Sequence, residues 1–177
     1  RKNNVDKFIY ASTVYVYSRE GGFYRCSKQA AEEYIKEYHN RYGQDYCVLR
    51  YGSLYGPRSG PENGLRQMLN TAIKKGKLQY MGHPGSFREY IHVDDAAKAS
   101  LLAMGKEFKN EHIVLTGQEP MKVSTVLKMI GEILGIEKDI EFLEDDYTGH
   151  YVSTPYYYKN PIGMKYVPSM HVDLGQG

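Results

Sequence analysis

The sequence of 177 residues has no tryptophan, only two cysteines and no long apolar run. Cys26 and Cys47 are too few for a disulfide framework or a zinc site, so we expect both thiols to be reduced. No apolar stretch approaches the ~20 residues of a membrane span, so we expect no membrane partner and a cytoplasmic protein. Lysine and arginine number 23 against 21 acidic residues, and no basic block stands out, so we expect no nucleic-acid partner.

The composition is that of a globular protein, with 41% hydrophobic and 25% charged residues. Its most unusual number is 18 tyrosines, which suit either a polar, ligand-lined cleft or an ordinary amphipathic surface. The six histidines show no ligand spacing, so we predict no metal site. His92 lies inside an apolar run, where we expect a packed core residue.

Short apolar runs alternate with helical periodicity along the chain. We predict buried strands over 7–13, 46–51 and 112–117, and short strands at "LQYMG" and "REYIHV". Helices are predicted over 24–41 and 123–134, from Leu65 to a stop at Gly76, and from Asp94 onward; Gly43 and Gly135 end two of them. A loop rich in glycine and proline covers 52–64. This alternation predicts an α/β fold with parallel pairing in part, and only about three core strands are visible.

Tyr24 and Lys28 form the best candidate for chemistry, because a spacing of four places them on one helix face. An ammonium next to a phenol favours the phenolate, which would make Tyr24 a general acid/base. Thr13 ends a predicted strand, where an α/β sheet presents its ligand site. The alternative to a catalytic role is that Tyr24 and Lys28 lie on an ordinary solvent-exposed helix face.

Four runs keep one order and a plausible spacing: "FIYASTVYVYS", "YRCSKQAAEEY", "CVLRYGSLYGPR" and "FREYIHVDDAA". Together they resemble the extended short-chain dehydrogenase/reductase family, in its NAD-dependent nucleotide-sugar epimerase/dehydratase branch, from Phe8 to about Leu134. The resemblance implies a partial Rossmann-type, doubly wound parallel sheet with a smaller α/β substrate-binding lobe. Residues 1–52 and 93–117 would belong to the NAD-binding domain, and 53–92 and 118–177 to the nucleotide-sugar lobe.

The resemblance also implies roles near the cofactor. Tyr24 would be the catalytic acid/base, and Lys28 would hold the nicotinamide ribose and activate Tyr24. Thr13 would orient the sugar hydroxyl. Tyr24, Lys28 and Gly52 would contact NAD, although NADP is not excluded.

Substrate residues follow from the same resemblance. Arg88 matches the arginine that pairs with the nucleotide diphosphate, which suits a guanidinium fork; the alternative is a surface ion pair with Glu89 or Asp94. The remaining substrate positions are Ser53, Asn63, Leu65, Gln79 and Met81. Ser53 departs from the asparagine common in the family. No arginine follows Arg88, so His150, Lys159 or Lys165 would have to replace a second phosphate ligand.

Two residues after Thr13 separate the possible reactions. Dehydratases of the family carry an Asp-Glu pair there, and decarboxylases usually carry a glutamate at the second position. Val14 and Tyr15 occupy these positions here, and neither is a carboxylic acid. The resemblance therefore implies epimerisation or simple keto reduction.

We thus expect an NAD-dependent epimerase of a nucleotide sugar, with a UDP-sugar as the first candidate. The rivals are an NAD(P)H-dependent reductase of a nucleotide-linked keto sugar and a non-catalytic module that binds a nucleotide sugar or a protein partner. The family's G-x-x-G-x-x-G turn does not occur in this sequence. We therefore expect a C-terminal portion that is inactive alone, and a homodimer for the full-length family member.

Overall fold

The computed structural model describes residues 5–117, 120–143 and 150–153. The strands are β1 (Lys7–Thr13), β2 (Asp45–Tyr51), β3 (Ser53–Tyr55), β4 (Leu78–Met81), β5 (Phe87–Arg88), β6 (Tyr90–His92), β7 (Glu111–Leu115), β8 (Met121–Lys122) and β9 (Ile140–Leu143). The helices are α1 (Gly22–Tyr42), α2 (Gly64–Lys75), α3 (Val93–Leu102) and α4 (Val123–Leu134), with 3-10 helices at Val14–Tyr17 and Lys106–Phe108. The α/β alternation predicted from the sequence is confirmed.

The central sheet has three parallel strands in the order β1-β2-β7. Thr13 lies opposite Tyr51, and Tyr51 lies opposite Leu115, so the carboxyl ends of all three strands meet at one edge. These are the three core strands that the apolar runs predict. All three fall within the ranges assigned to the NAD-binding domain, while the division into two domains stays a prediction.

Three two-stranded sheets flank this unit: β3-β6 and β4-β9 are parallel, and β5-β8 is antiparallel. Two sequence predictions were wrong here. The loop predicted over 52–64 contains β3, and the single strand predicted at "REYIHV" is two strands with different partners. The chain changes partners at Glu89, whose carbonyl accepts a hydrogen bond from Ser53 N at 3.0 Å. Local residue types do not reveal such a change of partner.

The observed helix boundaries agree closely with those predicted from the sequence. Helix α1 begins at Gly22, two residues before the prediction, and ends at Gly43 with a φ of 64°. Helix α2 ends at Gly76 with a φ of 58°, a left-handed conformation that glycine adopts without steric cost. Asn63 caps the start of α2, because its Oδ1 accepts from Arg66 N at 3.0 Å.

Two apolar clusters hold these elements together. One packs α2 and α4 against β4, and the other lies between the central sheet and the end of α3. The buried members of the first are Met68, Ala72, Leu78, Val123, Val126, Leu127 and Ile130. Those of the second are Cys47, Leu49 and Ala103.

His92 does not occupy the core position that its apolar surroundings predict. It is the last residue of β6, its side chain is 31% exposed, and its ring packs on Tyr55. Its Nδ1 accepts from Asp94 N at 3.3 Å and so caps α3. The prediction failed because the strand ends at His92, and a terminal position is not enclosed on both faces.

Candidate active site

A cleft of about 770 Å³ opens at the carboxyl ends of β1 and β2 and extends along α2 and β4. Ten site residues were named from the sequence, and nine of them line this one cleft. They are Thr13, Tyr24, Gly52, Ser53, Asn63, Leu65, Gln79, Met81 and Arg88. Lys28 is the tenth and does not line it. Ligands of open α/β sheets bind outside the carboxyl ends of the strands, which is where the cleft lies.

Thr13 and Tyr24 bring two hydroxyl groups to the sheet end of the cleft. Thr13 is the buried last residue of β1, and its Oγ1 accepts from Tyr15 N at 3.3 Å. Because that bond uses a lone pair, the hydroxyl hydrogen of Thr13 can still be donated. Tyr24 is the third residue of α1, and it is 52% exposed, so a ligand can reach its phenol.

Lys28 lies one helical turn beyond Tyr24. Its Nζ donates to Ala11 O at 2.9 Å and lies 5.8 Å from the centre of the Tyr24 ring. The ammonium is therefore held between α1 and β1, close to the phenol. It has three hydrogens, of which the Ala11 carbonyl takes one.

Glu32 lies one further turn along the same face of α1 and is only 3% exposed. Its carboxylate accepts from Arg50 Nη2 at 2.5 Å and from Ser12 Oγ at 2.5 Å. Burial acts to raise the pKa of Glu32, but the hydrogen bonds from Arg50 and Ser12 and the charge of Arg50 outweigh it and lower that pKa. The Glu32–Arg50 ion pair thus connects α1 to β2, and the bond from Ser12 connects the same carboxylate to the neighbour of Thr13 on β1.

His112 approaches this ion pair from β7 without joining it at neutral pH. Its Nε2 lies 3.9 Å from Glu32 Oε2 and has no hydrogen-bond partner. Burial, and next the charge of Arg50, lower the pKa of His112, so the imidazole is neutral at pH 7. The sequence analysis did not predict Glu32 or Arg50. The spacing of four from Tyr24 through Lys28 to Glu32 was the signal that could have found the first.

Arg88 is the buried cation of the cleft, at 8% exposed. Its Nη1 donates to the carbonyls of Phe87 and Tyr151, each at 2.7 Å, and its Nη2 donates to the Tyr80 hydroxyl at 2.9 Å. The guanidinium also lies 4.8 Å from the centre of the Tyr151 ring. Arg88 therefore does not have the exposed surface position that the ion-pair alternative assumed.

Two of the other substrate positions, Asn63 and Gln79, already hold structural hydrogen bonds. Asn63 caps α2 with its Oδ1 and donates from Nδ2 to Leu54 O at 2.8 Å. Gln79 donates to a carboxylate oxygen of Glu141 on β9. Met81 is exposed at the end of β4. These contacts fix the side chains along one wall of the cleft.

Gly52 lies where β2 leaves the central sheet. Its N–H donates to Leu115 O at 2.9 Å. An added Cβ would come within 2.9 Å of Thr116 Cγ2 and 3.0 Å of Glu89 O. The absence of a side chain at Gly52 therefore allows β2, β6 and the end of β7 to approach closely.

Sequence reasoning missed the aromatic lining of the cleft. Tyr15, Tyr80 and Tyr90 line it beside His150, and the neighbouring Tyr151 is buried. Burial raises the pKa of Tyr90 to about 12. Burial also raises the pKa of Tyr151, against smaller effects of Arg88 and of a hydrogen bond with Ser53. The high tyrosine count was the available signal.

Val14 and Tyr15 occupy the two positions that distinguish the reactions of the family, and their side chains lie in different surroundings. Val14 is buried in the core, whereas Tyr15 lines the cleft, with its hydroxyl 2.7 Å from His150 Nδ1. Of the three candidates for a second phosphate ligand, only His150 is in the described part of the chain, and it lines the cleft. Lys159 and Lys165 lie outside the described residues.

The described ranges 5–117, 120–143 and 150–153 contain no group of three or more histidine, cysteine, aspartate or glutamate side chains that could hold a metal ion. No helix in the same ranges has the length and apolar character needed to cross a membrane.

A parallel sheet with intervening helices and a polar cleft at its carboxyl edge is a Rossmann-type α/β arrangement. The chain belongs to the NAD dependent epimerase/dehydratase family, whose family profile matches residues 1–116. The resemblance identified from the sequence is thereby confirmed.

Individual relatives agree with this membership. A protein of Methanocaldococcus jannaschii that carries the provisional name UDP-glucose 4-epimerase is 32% identical over 137 residues, which cover 67% of this chain and 44% of the relative. The crystal structure of the Thermotoga maritima UDP-glucose 4-epimerase with UDP-glucose matches with a TM-score of 0.75 and 28% identity, over 84% of this chain and 53% of that one. The crystal structure of the Thermus thermophilus UDP-glucose 4-epimerase in complex with NAD matches with a TM-score of 0.73 and 26% identity, over 86% of this chain and 55% of that one. This chain spans about half the length of these relatives.

Proposed function

We propose that this chain is the substrate-facing part of an NAD-dependent epimerase that inverts a carbon of a nucleotide sugar through a transient keto sugar. The observation that carries the proposal is that one cleft is lined by the Tyr24 phenol and the Thr13 hydroxyl as well as by the Arg88 guanidinium. The phenol and the hydroxyl suit a reacting sugar carbinol, and the guanidinium suits a diphosphate. UDP is the proposed nucleotide because the Methanocaldococcus and Thermotoga relatives carry names of UDP-glucose epimerases.

Tyr24 acts in this proposal as the acid/base. Its phenolate takes the proton of the sugar hydroxyl as that carbon is oxidised, and its phenol returns a proton to the keto oxygen when the keto carbon is reduced. Lys28 places its ammonium 5.8 Å from the centre of the Tyr24 ring, on the same face of α1. The Thr13 hydroxyl donates to the same sugar oxygen and so fixes which carbon reacts. Arg88 contributes its remaining N–H groups to the diphosphate.

The residues present fit the nicotinamide-ribose end of NAD. Lys28 keeps two ammonium hydrogens beyond the one bonded to Ala11 O, and ribose hydroxyls can accept them. Tyr24 and Gly52 complete that end of the proposed cofactor site. When bound, NAD supplies the hydride acceptor and donor for the sugar carbon. The pyrophosphate-binding glycine turn is not found among these 177 residues.

The residues between Thr13 and Val16 favour epimerisation or simple keto reduction over the dehydration and decarboxylation that other members of the family catalyse. Elimination of water needs an additional acid and base at the sugar, and neither Val14 nor Tyr15 is a carboxylic acid. Val14 is also enclosed in the core. A cytoplasmic location and a homodimeric full-length protein are part of the proposal and stay predictions.

The test is to incubate the full-length gene product with UDP-glucose, UDP-glucuronate and UDP-N-acetylglucosamine, and to follow sugar stereochemistry by NMR and reduced nicotinamide by absorbance. Interconversion of epimers without net reduction of NAD is expected. Stoichiometric oxidation of NAD(P)H by a nucleotide-linked keto sugar would establish the reductase instead. Binding of UDP without turnover of any sugar would favour a non-catalytic binding module.

A further inference from the structure

Tyr15 joins two parts of the cleft that are far apart in sequence. Its hydroxyl lies 2.7 Å from His150 Nδ1, at hydrogen-bond distance. Its ring centre is 4.9 Å from that of Tyr151 and 6.3 Å, edge to face, from that of Tyr24. One side chain thus contacts both the proposed acid/base and the segment 150–153.

The backbone between Tyr15 and Tyr24 is arranged around the Tyr15 ring. Gly21 has a φ of 91°, and an added Cβ there would lie 2.7 Å from Tyr15 Cδ1. Arg25 closes the turn by donating to Ser18 O at 3.0 Å and to Arg19 O at 2.5 Å. Only glycine combines this backbone conformation with the room that the ring needs. The short connection therefore fixes where the Tyr15 ring lies.

The segment 150–153 is fastened from its other side by the residues around β5. Arg88 Nη1 donates to Tyr151 O at 2.7 Å, and Phe87 N donates to Val152 O at 2.9 Å. These contacts hold the segment to the substrate side of the cleft, while Tyr15 holds it to the side of α1 and Tyr24.

We propose that Tyr15 is a positioning residue: by bonding His150 and packing on Tyr151 it holds the segment 150–153 at a fixed distance from Tyr24, and so sets the width of the cleft where the sugar binds. Naming the ligand as a nucleotide sugar rests on the proposed function. The positioning itself rests on the contacts of Tyr15 and on those that hold the segment 150–153 to β5. Tyr15 takes no part in proton transfer, so its loss affects binding of the sugar more than the chemical step.

Steady-state kinetics of the full-length gene product test this division of roles. Tyr15→Phe keeps the ring and removes the hydroxyl, so KM for the nucleotide sugar should rise about three- to tenfold, the range for one lost hydrogen bond, with kcat changed less than about twofold. His150→Ala should give a similar rise in KM. The double variant should be no worse than the more impaired single variant, because both substitutions remove the same Tyr15–His150 interaction. Tyr34→Phe, on the exposed outer face of α1, is the matched control and should leave KM unchanged.

Hydrogen exchange tests the positioning without any assumption about activity. In the ligand-free protein, Tyr15→Phe should speed amide exchange across 150–153 about three- to tenfold, and Tyr34→Phe should not. Unchanged exchange in Tyr15→Phe, or KM effects of the two single variants that multiply in the double variant, would overturn the proposal. If no nucleotide sugar is turned over, the proposed function fails, and the exchange experiment alone then decides the role of Tyr15.

Discussion

At the scale of single residues, Tyr24 and Lys28 hold different positions relative to the cleft. Tyr24 is exposed to the cleft, whereas Lys28 is bonded to Ala11 O beneath it. The phenol can therefore meet a ligand in the cleft, while Lys28 is held against β1. In the proposed mechanism, proton transfer depends on the Tyr24 hydroxyl, and binding depends on the rest of the cleft.

Replacing Tyr24 by phenylalanine separates an enzyme from a binding module. We expect Tyr24→Phe to lower kcat by about 10²- to 10⁴-fold, the usual contribution of a general acid/base. The affinity for UDP, measured by calorimetry, should stay within about twofold, because the phenylalanine keeps the ring. Tyr34→Phe is the control, since Tyr34 is 72% exposed on the same helix and is not among the residues lining the cleft. Full activity in Tyr24→Phe would remove Tyr24 from the mechanism.

At the scale of elements, the buried Glu32–Arg50 pair determines how α1 sits on the central sheet. Arg50 projects from β2, and its Nη1 also donates to the Tyr17 hydroxyl at 2.5 Å. Ser12 of β1 completes the set by bonding the same carboxylate. The helix that carries Tyr24, the strand that carries Thr13 and the 3-10 helix that carries Tyr15 therefore share one buried polar network.

We expect Glu32→Gln to lower the free energy of unfolding at pH 7 by about 3 kcal/mol, because it leaves the Arg50 charge buried and uncompensated. The folded-state pKa of Glu32 is lowered, so its stabilising contribution is present above the unfolded value near 4.5 and is lost as pH falls through the folded value. The difference between wild type and variant, from urea unfolding, should therefore shrink between pH 7 and pH 3.

Glu33→Gln provides the matched control for this experiment. Glu33 is the next residue, and it pairs with Lys36 on the exposed surface of α1. Its replacement should change stability by less than about 0.5 kcal/mol at either pH. Equal losses for the two variants, or a Glu32→Gln loss that does not depend on pH, would contradict the role given to the buried pair.

The end of β7 depends on a glycine for a steric reason. An added Cβ at Gly117 would lie 2.2 Å from the backbone oxygen of Tyr90, which is closer than any real contact. We expect Gly117→Ala to force β6 and β7 apart and to lower stability by about 1–3 kcal/mol, measured by thermal unfolding. Gly64→Ala, at the start of α2, meets no atom within 4 Å and should be neutral or slightly stabilising. Equal melting temperatures for the two variants would show that the crossing tolerates a side chain.

At the scale of the whole molecule, the cleft joins the central sheet to the smaller sheets around it. Its lining includes residues of β1, the 3-10 helix at Val14–Tyr17, α1, β3, α2, β4, β5, β6 and β9, so a ligand that fills it bridges these elements. A ligand that binds only the folded state adds its binding free energy to stability. Nucleotide binding should therefore appear as stabilisation of the entire fold.

We expect UDP at 100 times its dissociation constant to stabilise the full-length protein by about 2.7 kcal/mol. Arg88→Lys should reduce this UDP-induced shift in melting temperature, relative to its own ligand-free value, because lysine lacks the planar fork that suits a diphosphate. The shift caused by NAD should be unaffected. Arg41→Lys, at the exposed end of α1, should behave like wild type. A full UDP response in Arg88→Lys would assign the diphosphate to another cation.

Much of this protein was determined by local sequence. The apolar runs specified the three parallel strands, and left-handed glycines such as Gly43 and Gly76 ended the helices where they were expected. The order and spacing of the motifs around Thr13, Tyr24 and Arg88 identified the family and nine residues of one cleft. These features were predictable because periodicity, helix capping and motif spacing are properties of neighbouring residues.

Only the tertiary structure decided the rest. The change of strand partner at Glu89 and the terminal position of His92 depend on segments that are distant in sequence. The same holds for the buried Glu32–Arg50 pair and for the contact between Tyr15 and His150, which are 135 residues apart. Backbone pairing and buried polar networks are satisfied by whichever partner the fold brings near, and no local pattern records that partner.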